Sequence, residues 1–439
     1  MSQTAGHQRP FLFRHRDFTL FWGGMLMANI AVQIQAVTLG WQVYTLARQT
    51  RSVAESSLLV GMIGLAIFLP LFFLALPGGS TADRHDRRKI VLISLGVEFL
   101  CALGLVAVTL HPANGIVLIF AIAAVFGAAR AYLGPASSAL VPMLVPLSEM
   151  AQAISFKSLS WQAAVITGPW IGGLLVAVSP AAGYMVSALL YGLCIVTLLF
   201  IRANTMPRRQ HGSRIAQILE GLNYVWGNKI ILGAISLDLF AVLLGGATAL
   251  LPAFANDVLH VGPTGFGILR SGPAIGAALV AAWLSWRPIR RRAGIKMFWG
   301  VAGFGLSTLV FAVSKNMWLS LAALACLGAA DMISVFVRQT LVQVVTPDHM
   351  RGRVSSVSGL FISGSNELGE FESGVVARLI GPVGAAIFGG IGTLVVTGTW
   401  ARLFPALRNA DRLDGTDETA PMAEGPEQPQ SLSAPASPL

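Results

Sequence analysis

The sequence predicts an all-α membrane protein with about twelve transmembrane helices in two pseudo-symmetric six-helix halves. Three observations predict it. The 439 residues are 54% hydrophobic and only 11% charged, with a mean hydropathy of +0.69, whereas soluble domains carry roughly 25% charged residues. Long apolar runs recur between short polar breaks, and basic residues gather in every second break.

So few charges cannot coat a water-facing surface. A membrane span needs ~20 mostly apolar residues, because every backbone N–H and C=O must find its partner inside the helix while hydrocarbon surrounds it. The apolar runs place spans near 18–46, 57–78, 90–110, 115–134, 154–177, 181–201, 229–254, 264–286, 297–314, 318–345, 354–377 and 381–404. The polar, basic stretch Met1 to Asp17 lacks the small-residue cleavage pattern of a signal peptide, so no cleaved leader is expected. Cys101, Cys194 and Cys326 sit far apart inside apolar runs and suggest neither a disulfide framework nor a metal cluster.

The formal charge of +10 invites a nucleic-acid reading, but position argues against it. With the N-terminus inside, of 30 Lys and Arg only Arg48, Arg51, Lys315 and Arg378 fall in loops on the opposite side. Such a bias places both termini on the cytoplasmic side of an inner (plasma) membrane. The chain then divides into an N-terminal half (1–202), a cytoplasmic linker (203–228), a C-terminal half (229–404) and a cytoplasmic tail (405–439). In the linker, RIAQILEGLNYVW has the amphipathic rhythm of an interfacial helix. From Asp411 onward the tail is rich in Pro, Ser and acidic groups and is expected to be disordered.

After the second span comes GGSTADRHDRRK, in which Gly79, Asp83, Arg84, Arg87 and Arg88 match the G-x-x-x-D-R-x-x-R-R loop of the major facilitator superfamily. A glycine at a helix end lets the next helix approach, and Asp83 can sit at a helix N-terminus or pair with a basic group as a gating latch. The family's loop often has Gly where this chain has Asp86. After span eight, WRPIRRRAGIK occupies the corresponding place without the acidic partner, as an eroded repeat would. Span five contains Gly168-Pro169 and Gly172-Gly173, which resemble the antiporter motif of major facilitator exporters, with Ala164 in place of the usual upstream glycine. Gly168 and Gly172 share a helix face and permit close packing, while Pro169 permits a bend.

Further stretches (RDFTLFW, LGPASSALVPMLVP, LPAFANDVLHVGPTGFGILRSGPAIGA and RQTLVQVVTPDHMRGRVSSVSGLF) carry the resemblance nearly end to end. They are similar to the enterobactin-exporter-like, or transmembrane secretion effector, branch, whose drug:proton antiporter character implies efflux rather than uptake. The resemblance implies a major facilitator fold, alternating access between the two halves and a monomer.

Ionisable residues inside spans are costly and by default face a cavity or a partner. They are Glu98, Arg130, Lys157, Asp238, Arg270, Asp331, Arg338, Glu367, Glu370 and Glu372. Glu367 and Glu370 are three apart and share a helix face, whereas Glu372 points elsewhere. Two carboxylates so close should not both ionise easily, so one is expected to carry a coupling proton for which a cationic substrate would compete. Static ion pairing of these acids with Arg338, Arg130 or Lys157 is the competing reading. Asp331 and Arg338 lie seven apart on one face, Arg130 occupies the comparable place in the first half, and Asp238 is the sole acid of span seven. Asn29, Gln33, Gln35 and Gln42 of span one are expected to offer amides to a central cavity or to bond between helices. All seven histidines lie outside the span cores, so carboxylates must carry any coupling.

No phosphate-binding loop, nucleophile elbow or metal-ligand cluster appears, which excludes an enzyme reading and ATP-driven transport. No catalytic residue, cofactor or metal is expected; the partners are a small organic molecule (drug, siderophore or metabolite), protons and the lipid bilayer. Two alternatives stay open: an importer of a nutrient or lipid-like solute, and a non-transporting sensor or scaffold built on the same fold.

Overall fold

The computed structural model describes residues 12–111, 115–206, 214–289 and 291–410. The first half is built from α1 (Arg16–Arg48), α2 (Val53–Arg84), α3 (Arg87–Leu110), α4 (Gly115–Leu140), α5 (Met150–Val178) and α6 (Pro180–Leu199). A linker helix, α7 (Arg214–Gly227), follows. The second half comprises α8 (Lys229–Leu244), the single turn α9 (Leu251–Ala253), α10 (Gly262–Trp286), α11 (Ala293–Val313), α12 (Met317–Val345) and α13 (Asp348–Leu403), closed by α14 (Pro405–Arg408).

Eleven of these stretches are long and apolar enough to cross a membrane. The last, α13, has 56 residues and is two helices merged across Gly381, whose φ of 78° breaks the helical path immediately before Pro382. Only glycine adopts that region without strain, so the two arms account for spans eleven and twelve. Polar residues start the helices where the chain turns. Ser52 and Glu55 form a reciprocal capping box on α2. The Ser179 hydroxyl accepts the amide of Ala182 at 3.1 Å between α5 and α6, and Asn228 and Asn316 cap α8 and α12.

The span expected at 229–254 is present over Lys229–Val258, but its helix is interrupted. α8 stops at Leu244, and the chain continues through a 3-10 turn (Ala247–Leu250), α9 and a π-turn (Phe254–Val258). The cause is the pair Gly245-Gly246: a Cβ at Gly246 would lie 2.6 Å from the carbonyl carbon of Gly369, so the bare backbone packs directly on the first arm of α13.

The expected interfacial helix α7 finds protein partners. Val225 is buried in one apolar cluster with Met350, Val354 and Val357 of α13, and the Tyr224 hydroxyl donates to the Val345 carbonyl at 3.2 Å. The linker is therefore docked on the second half. The expected tail begins later than residue 405, because Leu407 is fully buried and the Gly294 amide donates to the Ala410 carbonyl at 3.0 Å; the stretch from Asp411 lies outside the described residues.

Each half has its own apolar core. A further cluster joins Val37, Trp41 and Val176 of the first half to Phe254, Phe266 and Phe311 of the second. The inter-half contacts gather at the end where α1 finishes and α2 begins, here called the far end; the α2–α3 loop and α7 mark the opposite, basic end. Gly173 of α5 meets Gly267 of α10, where a Cβ on Gly173 would stand 2.8 Å from the Pro263 carbonyl oxygen and 2.9 Å from the Gly267 Cα. Gly61 of α2 likewise meets α13, its Cβ position lying 2.7 Å from the Glu370 carbonyl oxygen and 3.0 Å from the Gly374 Cα. Small residues let these backbones touch.

Candidate transport pathway

The charged residues predicted to line a pathway sort into two groups. Arg338 and Asp238 form a buried ion pair at 3.4 Å, with side chains only 2% and 7% exposed. They tie α12 to α8 and are not among the residues that line the cavities described below. Removing one partner of such a pair strands a buried charge and costs about 3–5 kcal/mol. Asp238→Ala is therefore expected to lower the unfolding midpoint in detergent sharply, and Asp238→Ala with Arg338→Met to recover most of the loss; a single variant as stable as the parent would refute the pairing.

The other group faces space. A cavity of about 350 Å³ between the halves is lined by Gln33, Gln35, Arg130, Arg270, Glu367 and Glu370. A second, of about 370 Å³, shares Gln33, Arg270, Asn366 and Glu370 with it and adds Asp331. A third, of about 1010 Å³, shares Arg130 and Trp161 with the first and extends toward the basic end past Asn29, Lys157 and Gln339. Together they trace a passage from the middle of the bundle to that end, with charged and amide side chains set in a mainly apolar wall.

Glu367 and Glu370 project from one face of α13 toward Gly64 of α2. The place where a Cβ would stand on Gly64 is 3.4 Å from a carboxylate oxygen of Glu367 and 3.3 Å from one of Glu370. The two acids thus converge on one point, made available by a glycine of the other half. Among the described residues neither forms an ion pair. Lys157 donates to the Ser138 hydroxyl at 2.8 Å and Glu372 accepts from Ser373 at 3.5 Å. Glu98 is fully buried in the first half with neither carboxylate oxygen hydrogen-bonded, and it is not among the residues that line these cavities.

The amides of α1 divide as well. Gln33 and Gln35 line the first cavity and Asn29 the third, but Gln42 does not serve the cavity. Its Nε2 donates to Thr109 at 2.9 Å and its Oε1 accepts from Tyr184 at 2.7 Å, joining α1, α3 and α6.

In the motif after α2, Asp86 caps α3 by accepting the amide of Arg88 at 3.0 Å, with a φ of −55° that needs no glycine. The departure at this position is thereby explained. Arg87 donates to the Ala139 carbonyl at 2.7 Å and Arg88 to that of Leu198 at 2.9 Å, so both arginines staple the loop to the ends of α4 and α6. Arg84 is exposed, and Asp83 ends α2 beside it. Gly79 is buried, and at the preceding Gly78 a Cβ would run into the Ala131 carbonyl of α4. In α5, Gly168 and Gly172 pack on α1, with Cβ positions 2.5 Å from Gln33 Cβ and 3.1 Å from Val37 Cβ, while Gly173 packs across the halves on α10. Pro169 is buried between these contacts.

Sequence reasoning missed a polar latch at the far end. Asp257, in the π-turn, accepts from Arg48 at 3.0 Å, from Asn256 at 3.1 Å and from the Tyr44 hydroxyl. Arg48 and Tyr44 belong to the first half and Asp257 to the second, so this cluster spans the contact that seals the cavity. Charge alone gave no signal, because Arg48 counts as a loop residue until its partner is known. Asp257→Ala is expected to raise several-fold the modification rate of a cysteine placed at Arg51 by a membrane-impermeant maleimide; an unchanged rate would show that the latch holds nothing.

Comparison with known proteins agrees with this architecture. Residues 9–430 match the family model described as transmembrane secretion effector. Enterobactin exporter EntS of Shigella dysenteriae serotype 1 is 25% identical over 387 residues, covering 88% of this chain and 89% of that protein, and its counterpart in Citrobacter koseri shows the same values. Among solved structures, a D-xylose-proton symporter superposes with a TM-score of 0.70 at 13% identity, over 90% of this chain and 99% of that one. The xylose transporter XylE from E. coli in an inward open conformation gives 0.65 at 13%, over 89% and 96%. The chain belongs to the transmembrane secretion effector family, and its described helices form the major facilitator fold of a membrane transporter.

Proposed function

We propose that this protein exports a small organic molecule from the cytoplasm of a bacterial cell in exchange for protons, with Glu367 and Glu370 as the proton-carrying groups. The observation that carries the reading is the convergence of these two carboxylates, without ion pairs, on a central cavity lined by both halves. A neutral and a charged carboxyl can share that corner where two charges cannot, so uptake of one proton and binding of a cationic group exclude each other there. That exclusion is the requirement for antiport.

Direction is supported by resemblance to enterobactin exporters over most of both chains and by the antiporter-like Gly168-Pro169 and Gly172-Gly173. Orientation is supported by the basic loops: with them in the cytoplasm, the large cavity at the basic end receives cargo from inside while the Tyr44–Arg48–Asp257 latch closes the periplasmic side. Opening then requires the two halves to rock, with Asp83, Arg84, Arg87 and Arg88 at the gate on the cytoplasmic side. A single chain supplies the whole cavity, so a monomer suffices.

The test is purified protein in liposomes loaded with a pH-sensitive dye, after a metabolite screen of a deletion strain. Cargo that accumulates in the deletion strain should provoke proton movement opposite to its own. Loss of uptake in that strain, or cargo flux with no proton movement, would refute proton-driven export.

A further inference from the structure

Arg130 of α4 and Arg270 of α10 come from opposite halves and line the same cavity as Glu367 and Glu370. Among the described residues, neither arginine is hydrogen-bonded to a side chain or stands within ion-pairing distance of an acid. Among the described residues, the Arg130 guanidinium lies 5.9 Å from the centre of the Phe126 ring. The same bundle does close an ion pair where charge is structural, at Arg338 and Asp238. Long arginine side chains next to carboxylates in a low-dielectric cavity would collapse onto them if mutual neutralisation were their purpose. Here two cations and two anions stand apart around a common space, at a depth where unpaired charge is costly.

We infer that the cargo is amphoteric: it carries a cationic group that takes the place of the proton at Glu367 and Glu370, and an acidic group that is held by Arg130 and Arg270. This rests on the antiport reading above and deepens it. A purely cationic cargo would leave two arginines unneutralised, and a purely anionic one would be repelled by the acids unless they were protonated, which favours cotransport over exchange. A molecule with both charges neutralises both sides and still excludes the proton. The planar guanidinium groups suit a carboxylate, which each can grip with two parallel hydrogen bonds. Because the arginines belong to different halves, grip by both also couples binding to their relative position.

The experiment measures binding by calorimetry to the full chain in lipid nanodiscs. The probes are aromatic amino acids and dipeptides, each compared with its C-terminal amide, which is only cationic, and its N-acetyl form, which is only anionic. The zwitterion should bind at least tenfold more tightly than either counterpart. Arg130→Gln with Arg270→Gln should abolish its advantage over the amide, and Glu367→Gln with Glu370→Gln its advantage over the acetyl form. Arg130→Lys with Arg270→Lys should keep part of the preference, which separates lost charge from lost fold. Equal affinity for all three charge forms, an arginine double variant with its preference intact, or no binding by any zwitterion would each overturn the inference. Because binding is read without a proton gradient, a zwitterion that binds but moves no protons would refute antiport alone, whereas proton exchange with amides as good as with zwitterions would refute amphoteric cargo alone.

Discussion

Glu367→Gln with Glu370→Gln should reduce proton-driven transport roughly 100-fold or more, the scale on which loss of a positioned proton-transfer group acts. Glutamine keeps the shape and the hydrogen-bonding ends of each side chain, so packing of the first arm of α13 against α2 at Gly61 and Gly64 is preserved. Only the capacity to bind and release a proton is removed. Each single variant leaves one carboxylate at the same corner and should retain part of the activity, so the two changes will not be additive. The measurement is cargo-dependent proton flux in liposomes, with the unfolding midpoint as the check on fold. Full proton-driven transport by a well-folded double variant would sink the assignment and leave Asp331, which lines the adjoining cavity, as the next carboxylate to test.

Gly173→Val should push the protein out of the conformation described here. A Cβ at this position meets backbone atoms, the Pro263 carbonyl oxygen at 2.8 Å and the Gly267 Cα at 2.9 Å, and no flexible side chain is available to yield. Overpacking of this kind costs typically 1–3 kcal/mol, which corresponds to a population shift of roughly 5- to 150-fold. The strain is relieved if α5 and α10 separate, so the far end opens. Spin labels at Arg51 and Arg378, both exposed in the chain segments at that end, should report a longer distance in double electron–electron resonance. Gly168→Val gives the contrast: its Cβ meets Gln33 within the same half, so it should lower stability without lengthening that distance. An unchanged distribution in Gly173→Val would mean that the contact does not define the closed end.

The predicted site was partly legible. Glu367 and Glu370 stood out because carboxylates three residues apart on an apolar helix have to face one direction, and that direction is the cavity. Arg130 and Asp331, also visible as in-span charges, line the first and second cavities. Arg270 was visible as an in-span charge but had no feature that set it above Arg338; only packing showed that one lines the passage and the other closes on Asp238. Gln42 and Gln33 are equivalent in a one-dimensional reading, yet they are nine positions apart and rotated to different neighbours. Gly64 and Asp257 carried no signal, because their roles are defined by side chains more than 200 positions away.

The amino-acid sequence by itself determined the helical bundle, its approximate spans and the basic character of alternate loops. These follow from local rules, since each turn of helix in hydrocarbon must satisfy its own backbone and each basic cluster must stay out of the bilayer. The tertiary structure alone decided which glycines touch across the halves, which charges are paired, where the seventh span breaks and how the far end is latched. Those outcomes depend on helix rotation and on contacts between residues distant in the chain, and hydrophobic periodicity does not encode either.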